Sequence, residues 1–313
     1  MSALSTSLTD YLRLRVSLGF KMKEATRELT QYLSFLDQQG ARSITTKLAV
    51  QWAVRPKSAK PRYWAQRLTV VRGFAKYQSG IDARTEIPPS GLLPYGNGRR
   101  RPHIYTANEI QQLLKAVTAT DSAQRIGTKT YATLVGLLCV TGMRLSECLN
   151  LDEEDVNLDE GVLTIRGSKW RKSRLVPIHI TTQQKLRVYR RQRNKLYPKR
   201  QIASFFILDN GRRPSVVAAE RKFLRAARKI GLRGPPGTKG PYLHDFRHRF
   251  AVSTLLGWYR SGVDVERHLP ELSTYLGHSH LAYTYWYLSA EPELLQLAAR
   301  RLDQGKEFRH DEV

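Results

Sequence analysis

Cysteine, acidic residues and long apolar runs are all scarce in this chain. Only two of its 313 residues are cysteine, Cys139 and Cys148. Two thiols cannot staple a chain of this length, nor complete a zinc site by themselves. The 27 Asp and Glu residues stand against 52 Lys and Arg, a formal net charge of +25. No apolar run approaches the ~18 residues of a membrane span. The first residues, MSALSTSLTDYL, lack a basic stretch followed by an apolar one, so they do not read as a secretory signal. No lipidation pattern is visible either. The expected location is therefore cytoplasmic and nucleoid-associated, with no membrane partner.

What is present is enough apolar material to fold, 41% of residues. That excludes a disordered polybasic tail. Residues 1–98 carry 15 Lys and Arg against 6 Asp and Glu, and the remainder is basic too. A folded chain that is basic throughout points to a polyanion, because neutralising phosphates releases counterions. DNA is the expected partner. An anionic membrane surface fits less well, since the basic residues are not gathered at one end.

The length suggests two domains. Residues 1–86 read as a helical domain. Apolar positions recur from Ala25 at Leu29, Tyr32, Leu33 and Leu36, one face of a helix. Thr45 or Thr46 can cap a second helix, and Pro61 can open a third with Trp64, Leu68, Val71 and Ala75 inward. On its other side Arg62, Arg67, Arg72 and Lys76 are expected to meet DNA. A segment around Leu8–Leu18 makes four helices. Residues 87–105 then break the pattern with IPPSGLLPYGNGRRRPH, a linker in which Arg99, Arg100 and Arg101 are candidate phosphate contacts. The second domain, 106–302, opens on the capping box Thr106-Ala-Asn-Glu109. It continues with an apolar helical stretch over 130–149, interrupted at Thr141-Gly142. Two strands follow, Val162–Arg166 and Arg174–Ile180, around a basic hairpin with Lys169, Arg171, Lys172 and Arg174. Further helices are expected over 181–197, 215–230, 243–260, 264–276, 281–288 and 292–302. The tail 303–313 reads as loose.

Four clusters could carry chemistry. In Thr141-Gly-Met-Arg-Leu-Ser-Glu147, Arg144 and Glu147 share a helical face, so the carboxylate can orient the guanidinium; a surface ion pair explains them as well. The hairpin loop can enter a DNA groove, and a lysine there could protonate a leaving oxygen. In Leu243-His-Asp-Phe-Arg-His248, Arg247 can fork two hydrogen bonds to a phosphate, and His244 can add a third or move a proton. His248 reads as structural, or as a support behind the residues that touch the phosphate. In Leu276-Gly-His-Ser-His-Leu-Ala-Tyr-Thr-Tyr-Trp-Tyr287, aromatics could pack as core, or a phenol could act as a nucleophile. Together the clusters offer arginines to stabilise a phosphodiester under attack, an acid and a nucleophile, with no cofactor or metal in the set.

The ordered set R…K…H-x-x-R…L-G-H…Y resembles the tyrosine site-specific recombinases, the phage-integrase family, over nearly the whole chain. The resemblance implies a mainly helical protein with a small antiparallel β-sheet. It has a helical core-binding domain and a catalytic domain, forming a C-shaped clamp on DNA. It implies that Arg144 and Arg247 clamp the scissile phosphate. His244 would transfer a proton and touch the phosphate, and His278 would donate a hydrogen bond to it. Tyr287, nine residues past His278, would be the nucleophile, with Tyr283 and Tyr285 packing or facing DNA. Lys169 best fits the general acid, with Lys172 as the alternative, and Glu147 supports Arg144. It further implies a double-stranded site with inverted repeats, bound by a homotetramer that exchanges C-terminal helices. A partner recombinase or accessory proteins could take part. The expected activity is strand cleavage and rejoining through a 3′-phosphotyrosine, without metal or ATP, serving integration, excision, transposition or resolution. The competing readings are a type IB topoisomerase, a non-catalytic DNA-binding regulator, and a metal-dependent nuclease built on Asp152-Glu-Glu-Asp155.

Overall fold

The computed structural model describes residues 3–95, 101–119, 125–167, 173–198 and 202–310, side chains excepted at 289–290 and 302–310. It divides into two compact units, residues 1–100 and 101–313. Among the described residues no helix is long and apolar enough to cross a membrane.

Among the described residues the first unit holds four helices, α1 (Ala3–Ser17), α2 (Lys23–Gln38), α3 (Thr46–Val54) and α4 (Pro61–Gln78). The periodic apolar positions face inward: Leu29, Tyr32 and Leu36 of α2 pack with Trp52 of α3 and with Leu68, Val71 and Phe74 of α4. Thr45 caps α3, its hydroxyl accepting from the Leu48 amide at 3.3 Å. Pro61 opens α4, where an amide would have no intrahelical partner.

Two of the four basic residues expected to face DNA from α4 do otherwise. Arg67 is buried, 7% exposed. Its guanidinium lies 3.7 Å over the Trp52 ring, reaches the buried Glu28 carboxylate at 3.5 Å and donates to the Trp52 carbonyl. The reason is helical geometry. At ~100° per residue, nine residues turn Arg67 to the side opposite Lys76, onto the face of Val71 and Trp64. Arg72 is half-buried and donates to the carbonyls of Pro88 and Pro89 at 2.7 and 2.8 Å, which ties the proline segment back onto α4. Arg62 and Lys76 are exposed. Arg99 and Arg100 lie outside the described residues.

The second unit begins with Arg101, which is exposed, and runs into α5 (Ala107–Thr118). Both halves of the Thr106–Glu109 capping box form. The long helix α6 (Ile126–Thr141) ends at Gly142, and the short helix α7 (Leu145–Leu149) restarts beyond Arg144. A three-stranded antiparallel sheet follows in the order β1 (Val156–Asn157), β2 (Val162–Ile165), β3 (Arg174–Pro177). Ile165 pairs with Arg174 and Leu163 with Val176. β1, a two-residue strand, has too little pattern to be read from sequence. Then come α8 (Ile180–Leu196), α9 (Val216–Lys229), α10 (Asp245–Arg260), α11 (Val265–Leu276), α12 (Ala282–Ala290) and α13 (Pro292–His310).

The described residues of this unit form two apolar clusters. One gathers α5, α6, α8, α9 and the sheet. The other gathers α10 to α13. α10 joins them, with Phe246 in the first and Ala251, Val252 and Leu255 in the second. α13 continues through 303–310, where the sequence suggests a loose tail; no proline stops it. It packs on its own unit: Leu294 is fully buried, Leu295 faces outward, and Arg301 donates to the Val263 carbonyl.

Candidate active site

The site forms where two helices end in left-handed glycines. α6 stops at Gly142 (φ 59°) and α11 at Gly277 (φ 68°). The last carbonyls of a helix lack intrahelical partners and carry its negative pole, so they attract cationic donors. Three arginines take up this offer. Arg247 donates to Gly142 O at 2.9 Å and to Leu276 O at 2.6 Å. Arg144 donates to Gly277 O at 2.8 Å, and Arg174 to Tyr275 O at 2.7 Å. The glycines are needed for space as well as for φ. A Cβ on Gly142 would meet the Phe250 ring at 2.7 Å, and one on Gly277 the Arg174 guanidinium at 2.8 Å.

Glu147 binds two of these arginines. Its Oε1 accepts from Arg144 at 2.6 Å and from Arg174 at 3.0 Å. Its Oε2 accepts from the Arg144 amide at 3.0 Å and from Arg174 at 2.8 Å. Burial works against ionisation of this carboxyl, but the hydrogen bonds and charges of Arg174 and Arg144 prevail and hold it down at about 2. Arg247, only 2% exposed, is pushed down to about 10 by burial, with the Tyr287 oxygen pulling the other way. It remains charged at neutral pH. Three guanidinium groups against one carboxylate leave the site cationic.

A row of aromatic rings runs beside the arginines. His244 immediately precedes α10, and its ring meets His248 edge-on at 5.0 Å between centroids. His248 lies 5.5 Å from Tyr287, and Tyr287 stacks beside His278 at 6.0 Å. Tyr287 is 3% exposed and turned into the pocket of its own unit. His278 is held by Thr284, its Nδ1 2.7 Å from the hydroxyl. Burial, and the charges of Arg247 and Arg144, lower the pKa of His244, so its imidazole is neutral at neutral pH and can accept a proton. Tyr283 and Tyr285 are exposed.

The fold thus brings Arg144, Glu147, His244, Arg247, His278 and Tyr287 together. Lys169, Arg171 and Lys172 lie outside the described residues. The expected reading of Arg174 as one more basic residue of the hairpin missed its place under Glu147. Its burial had a signal, since in a strand Arg174 shares its face with the buried Val176; its partner had none. Thr284 and the main-chain carbonyls gave no sequence signal. His248 packs against the rings of both His244 and Tyr287. The carboxylates of 152–155 are taken by arginines: Asp152 pairs with Arg213, Glu153 with Arg193, and both Glu154 and Asp155 with Arg166.

Residues 104–293 match the phage integrase family. A Sinorhizobium fredii protein described as an integrase/recombinase, y4rB, is 45% identical over 99% of this chain and its own full length. Tyrosine recombinase XerA of Thermococcus kodakarensis is 29% identical over 74% of this chain and 72% of its own. The fold is similar to that of the Tn1549 transposon integrase in complex with transposon right end DNA (TM-score 0.66, 14% identity, 97% of this chain and 99% of that one). It is also similar to a lambda integrase dimer bound to a core site (TM-score 0.60, 17% identity, 90% of this chain and 94% of that one).

Proposed function

The chain belongs to the phage integrase family and is a tyrosine recombinase acting in site-specific DNA recombination, and from that premise we propose that it cuts and rejoins DNA through Tyr287. The phenolic oxygen attacks the scissile phosphorus and the bond to the 5′ oxygen breaks, leaving a 3′-phosphotyrosine. The phenol proton passes to neutral His244. The leaving 5′ oxygen takes a proton from Lys169 or Lys172. Arg144 and Arg247 bind the nonbridging oxygens, whose charge grows in the transition state, and His278 donates a further hydrogen bond. A 5′ hydroxyl of the partner strand then reverses the attack. The phosphoester is exchanged rather than hydrolysed, so the reading requires neither ATP nor a metal ion.

The observation that carries this reading is the Tyr287 ring, buried beside His278 and within the electrostatic reach of Arg247. A topoisomerase would use the same chemistry; the recombinase relatives over nearly the full chain favour strand exchange. We also propose phosphate contacts by the exposed Arg62, Lys76 and Arg101, and by Arg99, Arg100, Arg171 and Lys172. The reading includes a tetramer on a site with inverted repeats; lambda integrase, similar in fold, forms a dimer on a core site and a tetramer on a Holliday junction, which supports assembly on DNA. Exchange of α13 between protomers would start from its docked position on α10.

The test is a nicked suicide substrate carrying the recombination site, incubated with EDTA. Wild-type protein is expected to become covalently attached to the 3′ end of the cut strand. Tyr287→Phe is expected to bind the site with unchanged affinity and to give no adduct. An adduct formed by Tyr287→Phe, or lost in Tyr283→Phe or Tyr285→Phe instead, would overturn the assignment.

A further inference from the structure

We propose that Arg174 is a positioning residue for strand cleavage: from the sheet it fixes both groups that hold Arg144, the Glu147 carboxylate and the Gly277 turn. The inference rests on the proposed role of Arg144 at the phosphate. Arg144 is gripped at two points, by Glu147 at one terminal nitrogen and by the Gly277 carbonyl at the other. Neither grip is self-sufficient. Glu147 sits on the same turn of chain as Arg144, and without a further donor both of its oxygens would answer to Arg144 alone. Arg174 supplies that donor as a fork, one nitrogen to each carboxylate oxygen. Its third nitrogen holds the Tyr275 carbonyl, and its guanidinium is pressed against Gly277 with no room for a Cβ between them.

The burial of Arg174 argues the same way. Its side chain is only 9% exposed and points to the core face of β3 with Val176. A guanidinium at such a place is costly unless well paired, and an apolar residue would serve the sheet as well. Arg174 belongs to the first strand residue after the hairpin, far in sequence from both α7 and α11. It therefore ties α7, through the Glu147 carboxylate, and α11, through the Tyr275 carbonyl, to the sheet. A lysine could carry the charge but could not serve two oxygens and a carbonyl in one plane.

The charged and titratable groups facing Glu147 are Arg144, Arg174 and Arg247, together with the neighbouring Cys148 thiol. With Arg174 gone, burial of the carboxyl is less opposed, and its protonation would move into the range of a cleavage assay. The experiment measures cleavage of the suicide substrate from about pH 5 to about pH 8, with site binding measured in parallel. Arg174→Lys is expected to fold, to bind the site within about twofold of wild type and to cleave about tenfold more slowly. Arg174→Ala is expected to lose about a hundredfold and to gain an acid limb in its pH profile. Adding Glu147→Gln to Arg174→Ala should abolish that limb. If Arg174→Ala does not fold, Arg174→Lys decides alone. Arg174→Lys cleaving within twofold of wild type, with the wild-type profile, would overturn the inference. Tyr287→Phe serves as the separate control: an adduct in that variant defeats the strand-cleavage reading itself, whatever Arg174 does.

Discussion

Glu147 sets the pH range over which the arginine pair is assembled. Its carboxyl titrates at about 2 in the folded chain against an ordinary value of 4.5. A carboxylate held below its unfolded value contributes stability above that value and loses it as pH falls through the folded one. The difference corresponds to about 3 kcal/mol. Urea unfolding of wild type and Glu147→Gln should therefore diverge most above about pH 5 and converge as pH approaches about 2. A constant gap across this window would mean that Glu147 does not titrate where its partners require. Arg144 and Glu147 could be paired from their spacing alone. Arg174 could not be added to them, because its proximity depends on where the sheet meets α11.

At the scale of elements, the site is made from ends. α6 and α11 finish in left-handed glycines whose neighbouring carbonyls receive Arg247 and Arg144, while α7 and α10 begin beside Arg144 and His244. Gly142→Ala and Gly277→Ala each impose a strained φ and a clash, with a ring in one case and a buried guanidinium in the other. Each is expected to lower stability by more than about 1 kcal/mol in thermal unfolding. Each should also slow cleavage by more than the stability loss accounts for, since the displaced carbonyl orients an arginine. An alanine at either position with wild-type cleavage would contradict this. The break at 141–142 was legible, because glycine interrupts an apolar helix there. Which arginine would use the carbonyls it exposes was not.

At the scale of the molecule, a net charge of +25 makes DNA binding strongly salt-dependent. Not every basic residue shares in this. Lys76→Ala and Arg62→Ala are each expected to reduce the slope of log affinity against log salt by about one and to leave folding unchanged. Arg67→Ala should leave the slope alone and destabilise the first unit by about 1–3 kcal/mol, because it removes a buried guanidinium that covers the Trp52 ring and donates to the Trp52 carbonyl, while Glu28 retains Arg27 and the Tyr63 hydroxyl. A slope equal to wild type in either variant would remove that residue from the DNA-facing set. A changed slope for a folded Arg67→Ala would return Arg67 to the DNA-facing set.

Sequence alone determined the helical identity of most segments, because apolar spacing, the Thr106 box and the Pro61 and Gly142 signals are local and act within a turn or two of chain. It also determined that Arg144, His244, Arg247, His278 and Tyr287 recur in a recognisable order. Only the tertiary structure decided that Arg67 turns inward to Glu28, that Arg174 lies beneath Glu147, and that α13 folds back on α10 with Leu294 rather than Leu295 buried. Each of those depends on which distant surface a side chain meets. A charge pattern records only the cost of burying arginine; the partner that offsets it comes from another segment, brought near by packing.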